Sequence, residues 1–129
     1  MAVILRVSLF LLGVLYIFVG YSFLTDPVAT GADFGIAKVD SAGAQGFSTI
    51  RADFTSFFWV TAGCLIIGVW KANASLLNTG AALMGLVFLI RGYSLLVDGN
   101  YEGWMMPMAV ELLTAVLALA AARALPNSD

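Results

Sequence analysis

Four stretches of about twenty mainly apolar residues, each nearly empty of charge, dictate what this chain can become. A hydrocarbon layer about 30 Å thick takes about 20 helical residues to cross. In that medium a helix satisfies its own backbone polar groups, which an open strand cannot do. The stretches cover 3–24, 50–70, 75–97 and 105–123 of a 129-residue chain. Across the chain 61% of residues are hydrophobic and 11% charged, against about 25% charged in an ordinary soluble domain. A soluble fold of this size cannot hide that much apolar surface. The fold expected is all-α: a single four-span membrane bundle over residues 1–129. The first stretch reads as a span and not a cleaved signal, because its apolar run exceeds a typical signal core. Only Ala29-Thr30-Gly31 approaches a cleavage site.

Four spans place both termini on one side. That side carries Arg6, Lys71 and Arg123 with Asp129 as its acid; the other carries Lys38 and Arg51 among Asp26, Asp33, Asp40, Asp53, Asp98 and Glu102. The positive-inside rule then assigns both termini to the cytoplasm, in a bacterial cytoplasmic membrane. Residues 71–74 and 98–104 make short connections, the second with a Gly99-Asn100 pair suited to positive φ. Residues 25–49 form the one long connection, rich in Gly, Ala and Asp, with isolated apolar residues at Phe34, Ile36, Val39 and Phe47. Connections of that length serve as lids or remain flexible, and the residues leave both open. The sequon Asn73-Ala74-Ser75 falls in a short cytoplasmic turn and reads as chance.

Residues 13–26 (GVLYIFVGYSFLTD) and 85–98 (GLVFLIRGYSLLVD) share six identities at an offset of 72. The copies lie on spans of the same direction, so two helical hairpins related by a twofold axis along the membrane normal are expected. Glycines seven apart, Gly13/Gly20 and Gly85/Gly92, lie near one helix face and let a neighbour approach. At one position the copies differ in kind: Val19 in the first is Arg91 in the second.

A charge in mid-span costs about 2.5–3.5 kcal/mol on the insertion scale. Arg91 lies about 9 Å before the end of the third span and Glu111 about 9 Å after the start of the fourth, at a rise of ~1.5 Å per residue. Equal depth from one face predicts an Arg91–Glu111 pair, with Arg51 and Asp53 above it. Tyr93 and Asp98 complete a candidate polar cluster in the outer leaflet. One reading is an ion pair that fixes helix register; the other is a polar pocket that opens outward, since intramembrane charges mark functional sites.

The stretch IRADFTSFFWVTAGCLIIG from Ile50, the stretch RGYSLLVDG from Arg91, and Glu111 in the last span resemble a family of small bacterial four-span proteins catalogued as domain of unknown function 4345. The resemblance spans essentially the whole chain, and Arg51, Arg91, Asp98 and Glu111 are the matching positions. The family pattern has a Gly-Gly pair shortly after the second-helix Arg. Here Thr55 and Ser56 stand in that region, so close helix packing there does not follow from the resemblance. The resemblance implies a four-helix membrane bundle and no activity. In architecture alone the chain is also distantly similar to DoxX-like membrane proteins.

The remaining residues exclude more than they suggest. With no histidine and one cysteine, bis-histidine haem, histidine zinc sites, the Ser-His-Asp triad and paired-cysteine chemistry are absent. Cys64 in mid-span reads as a small hydrophobe. Met105, Met106 and Met108 read as packing, not a copper site. Trp70 and Trp104 read as interface anchors, and Ala118 and Ala122 mark a smooth helix face. Nothing resembles a phosphate loop, a metal site or a nucleic-acid patch, and no cofactor is expected. The leading expectation is a binding or accessory protein. Its outer pocket takes a lipid-like or quinone-like amphiphile, or the bundle stabilises a homo-oligomer or larger membrane complex. The alternatives are an oligomeric proton-coupled transporter and an intramembrane enzyme with Glu111 as acid or base.

Overall fold

Each apolar stretch becomes one long helix. A computed structural model describes residues 1–126. Asp129, counted above as the acid of the terminal side, lies outside the described residues. Helix α1 covers Ala2–Thr25, α5 covers Ala74–Val97 and α6 covers Met105–Ala124. The second span is built in three parts: α3 (Ala44–Thr49), a π-helical turn (Ile50–Phe54) and α4 (Thr55–Trp70). Four helices are long and apolar enough to cross a membrane, Ala44–Trp70 counting as one, with mean hydropathies of 1.6–2.5. No strand occurs among the described residues. The chain is an integral membrane helical bundle.

The helices are antiparallel around a square. α1 packs on α4, α5 on α6, α4 on α5 and α1 on α6, and the diagonals hardly touch. Bulky side chains such as Leu11, Phe18, Leu89, Leu112 and Val116 stay exposed on the outside. In lipid that surface is already solvated, so association rests on close packing and hydrogen bonds, not on apolar burial. The interior is tight: Leu9, Phe23, Leu65, Leu77, Ala118 and Ala121 are fully buried. A Cβ on Gly13 would come within 2.5 Å of Ile66 Cγ1, and one on Gly20 within 2.5 Å of Trp59 Cδ1. These two glycines let α4 approach α1. The matching Gly85 and Gly92 face Ala115 and Met108 on α6 with ordinary clearances of 4.0 and 3.7 Å.

The 25–49 connection is more structured than expected. Asp26 accepts a hydrogen bond from Ala29 N–H, and Pro27 sits in the first turn; together they start helix α2 (Pro27–Asp33). A 3-10 turn (Asp40–Ala42) and α3 follow, and α3 runs on through the π turn into α4. Phe34 is no loose loop residue. Its ring lies 5.1 Å from Phe23 and 6.1 Å from Phe58. Phe23 in turn stacks on Phe54 at 4.9 Å. This aromatic cluster plugs the end of the α1–α4 seam and holds the connection against it.

The short α4–α5 turn takes its shape from backbone demands. Asn73 N–H bonds to Gly68 O across Ala72, which adopts φ +50° in the left-handed region. Asn73 Oδ1 accepts from Leu76 N–H and caps α5. The sequon asparagine therefore has a structural task. At the 98–104 turn, Gly99 and Gly103 take φ +92° and +80°, as the Gly-Asn pair led us to expect for Gly99.

Candidate functional site

The bundle has a terminal end, where α1 begins and α6 finishes, and a loop end, where α1 and α5 finish. Arg91 comes from α5 and Glu111 from the buried face of α6. They meet across the α5–α6 seam near the loop end. Arg91 Nη2 donates to Glu111 Oε1 at 2.7 Å, and Nε donates to Oε1 at 2.9 Å and Oε2 at 3.2 Å. This is the only ion pair among the described residues. The glutamate side chain is 9% exposed and the arginine side chain 30%. The carboxylate is thus inside the seam, while the guanidinium reaches its surface.

Arg91 Nη1 also donates to Tyr101 Oη at 3.2 Å. Tyr101 lies in the 98–104 turn. Nothing in the sequence marks it, because a tyrosine at a span end reads as an interface anchor. A guanidinium carries five N–H groups. Nε–H, one on Nη2 and one on Nη1 are used, so two have no protein acceptor among the described residues. A cavity of about 430 Å³ adjoins Tyr101, lined also by Asn100, Glu102, Gly103, Trp104 and Met105.

A second polar group lies deeper. Tyr16 Oη is 2.8 Å from Thr114 Oγ1 and 3.4 Å from Met84 Sδ. Thr114 gives its one proton to Val110 O at 2.8 Å, so Tyr16 is the donor to Thr114. Thr114 stands one turn beyond Glu111 on the same face of α6. Tyr16 lies within about 4 Å of the middle of α1, at ~1.5 Å rise per residue. The polar column thus enters from the loop end and reaches the level of the bilayer centre. Toward the terminal end of the α1–α4 seam, Arg6 in the first turns of α1 donates to Val69 O in the last turn of α4.

The other predicted site residues do not join this group. Arg51 was expected above the ion pair. Instead its Nε donates to Leu24 O at 2.9 Å, and its guanidinium lies 5.6 Å from the centre of the Phe47 ring. It serves the last turn of α1, where carbonyls lack helical partners. Arg6 and Arg51 thus form a reciprocal clasp: each sits near the start of one helix and caps the end of the other. Thr55 Oγ1 donates to Gly20 O and Trp59 Nε1 to Ile17 O between them. Asp53 is exposed on the π turn. Tyr93 is exposed on α5. Asp98 accepts from Ser94 Oγ at 2.8 Å and finishes its own helix. The pocket expected from Arg51, Asp53, Arg91, Glu111, Tyr93 and Asp98 together is not formed, because Arg51 and the Arg91–Glu111 pair belong to different seams. None of the six lines the cavity beside Tyr101. No cluster of three or more metal-ligating side chains occurs among the described residues. No family model, curated protein or solved structure matches the chain.

Proposed function

We propose that this chain is a binding protein of the bacterial cytoplasmic membrane, taking the acceptor-bearing head of a lipid-like or quinone-like amphiphile at Arg91. The observation that carries the reading is the pair of unused N–H groups on Arg91, at the seam surface, with Tyr101 joining it to an open cavity. An ion pair made only to fix register has no need of an open edge. Glu111 holds the guanidinium from the buried side and keeps it planar to the seam, which is a positioning task. The amphiphile's tail would lie along Phe88 and Leu95, half-buried apolar residues one turn from Arg91 on the same side of α5.

The same geometry weighs against the alternatives. A proton-coupled transporter needs polar groups through both leaflets, and the column ends at Tyr16 and Thr114. An acid or base catalyst needs a carboxylate turned to its substrate, and both Glu111 oxygens face Arg91. With the ion-paired Arg91 set aside, three cations at the terminal end against two at the loop end support cytoplasmic termini. Gly13/Gly20 and Gly85/Gly92 each face the partner helix of their own hairpin, which supports an ancient hairpin duplication.

The test is quenching of tryptophan fluorescence by a decyl-chain benzoquinone in detergent. Trp104 lines the cavity, and Trp104→Phe identifies its share of the signal. Saturable quenching is expected, weakened about tenfold or more by Arg91→Gln, since hydrogen bonds to a charged group contribute about 1.5–3 kcal/mol. Equal binding by wild type and Arg91→Gln rules the site out.

A further inference from the structure

A second cavity lies at the loop end, away from the Arg91–Glu111 pair, and the proposed function makes no use of it. It holds about 240 Å³ between α2 and the α3–π segment. Val28, Ile36, Phe47 and Ile50 supply apolar walls, and Lys38 and Asp40 stand in its lining. Two cations converge on one of those walls. Lys38 Nζ lies 5.0 Å from the centre of the Phe47 ring and Arg51 Cζ lies 5.6 Å from it. Neither has a carboxylate within ion-pair distance among the described residues; the only ion pair is that of Arg91. This is unusual for a side of the protein otherwise rich in acids.

Depth identifies the neighbourhood. Arg51 is hydrogen-bonded to Leu24 O. Leu24 is about 16 Å from the middle of α1 at ~1.5 Å per residue, and the hydrocarbon half-thickness is about 15 Å. The two cations therefore sit where phosphate groups of the membrane lie. The cavity is smaller than the roughly 300 Å³ at which drug-sized sites begin, so it admits a part of one chain and not a whole molecule.

We infer that Lys38 and Arg51 form a phospholipid site, in which they hold the phosphate and the cavity takes the first carbons of one acyl chain. Arg51 keeps four N–H groups beyond the one given to Leu24, and Lys38 keeps all three. The Phe47 ring holds both cations without neutralising them. Asp40 adds an acceptor to the lining, so a headgroup with a hydroxyl or amine donor gains a hydrogen bond that choline cannot make. With two cations against one carboxylate, phosphatidylglycerol is the preferred occupant. The bound lipid would tie the α2–α3 flap to the leaflet.

The experiment uses the full chain, purified and exchanged into detergent containing phosphatidylglycerol, phosphatidylethanolamine or phosphatidylcholine. Lipid retained per chain is read by native mass spectrometry and phosphorus analysis. One phosphatidylglycerol per chain is expected, with less phosphatidylethanolamine and least phosphatidylcholine. Lys38→Gln with Arg51→Gln should weaken retention about thirtyfold, since each basic residue at an anionic surface supplies about fivefold. Ile36→Trp, which fills the cavity and leaves both charges, should also abolish it. Arg91→Gln should leave it unchanged; loss with that variant alone would move the lipid to the first site and overturn this one. Retention by the charge and cavity variants equal to that of the wild type overturns it as well. So does binding of glycerol phosphate as tight as that of the lipid, which would mean a site for free phosphate.

Discussion

Removing the Glu111 carboxylate is the perturbation with the clearest energetic consequence. Glu111 is 7% exposed and receives Arg91 N–H groups at 2.7, 2.9 and 3.2 Å. Hydrogen bonds with a charged partner contribute about 1.5–3 kcal/mol, and breaking a buried ion pair costs about 3–5 kcal/mol. Arg91 recovers part of that loss. Its side chain is 30% exposed, it lies about 9 Å from the end of α5, and it can extend toward the headgroups along its own stem. The expected cost of Glu111→Ala is therefore about 2–3 kcal/mol, and that of Glu111→Gln, which keeps an acceptor oxygen, about 1–2 kcal/mol. Replacing both residues with leucine removes the charge and its partner together. Such exchanges are often neutral or stabilising by about 1–4 kcal/mol, so Arg91→Leu/Glu111→Leu should match or exceed the wild type. A double-mutant cycle should give a coupling of about 2 kcal/mol, or about thirtyfold in the unfolding constant. The assay is unfolding by sodium dodecyl sulfate in mixed micelles, followed by helicity and tryptophan fluorescence. A double-leucine protein less stable than Glu111→Ala is the contrary result, since it would mean the pair itself contributes net stability.

Four further outcomes follow from the same structure. Gly20→Ala should cost about 1–3 kcal/mol by overpacking against Trp59, whereas Gly92→Ala at the repeat-equivalent position should be neutral or stabilising by about 0.5–1 kcal/mol; the same micelle titration separates them. Arg6→Gln and Arg51→Gln should each lower stability by about 0.5–1.5 kcal/mol through loss of the clasp, and additive losses are expected because the two caps are at opposite ends of the seam. Tyr16→Phe should cost about 1 kcal/mol, since Thr114 keeps its bond to Val110 O and only one donor is lost. The chain has two lysines, Lys38 and Lys71, at opposite ends of the bundle. A membrane-impermeant amine reagent applied to right-side-out vesicles should modify Lys38 and spare Lys71; the reverse pattern would invert the topology.

The sequence alone was sufficient for the spans, the pairing and the turns, and the reason is geometrical. Depth in a membrane is linear in residue number, because every helical residue advances by about 1.5 Å. Equal depth for Arg91 and Glu111 could therefore be counted, and a charge that the bilayer resists finds the opposite charge at its own level. Gly99 and the Asp26-Pro27 start of α2 follow from local backbone chemistry, although α2 itself was lost in a stretch read as lid or flexible connection. Direction around the bundle is another matter. These helices are apolar on every side, so periodicity selects no buried face. Whether Arg51 turns toward Arg91–Glu111 or toward Leu24 depends on which neighbour each helix meets, and only the packed bundle decides that. The same holds for Tyr101, brought under Arg91 by a turn, and for Lys38, brought to the ring of Phe47 by α2 and the π turn. Residue number sets how deep each charge lies, because the helical rise is constant; the packing of one helix on another sets which partner stands beside it.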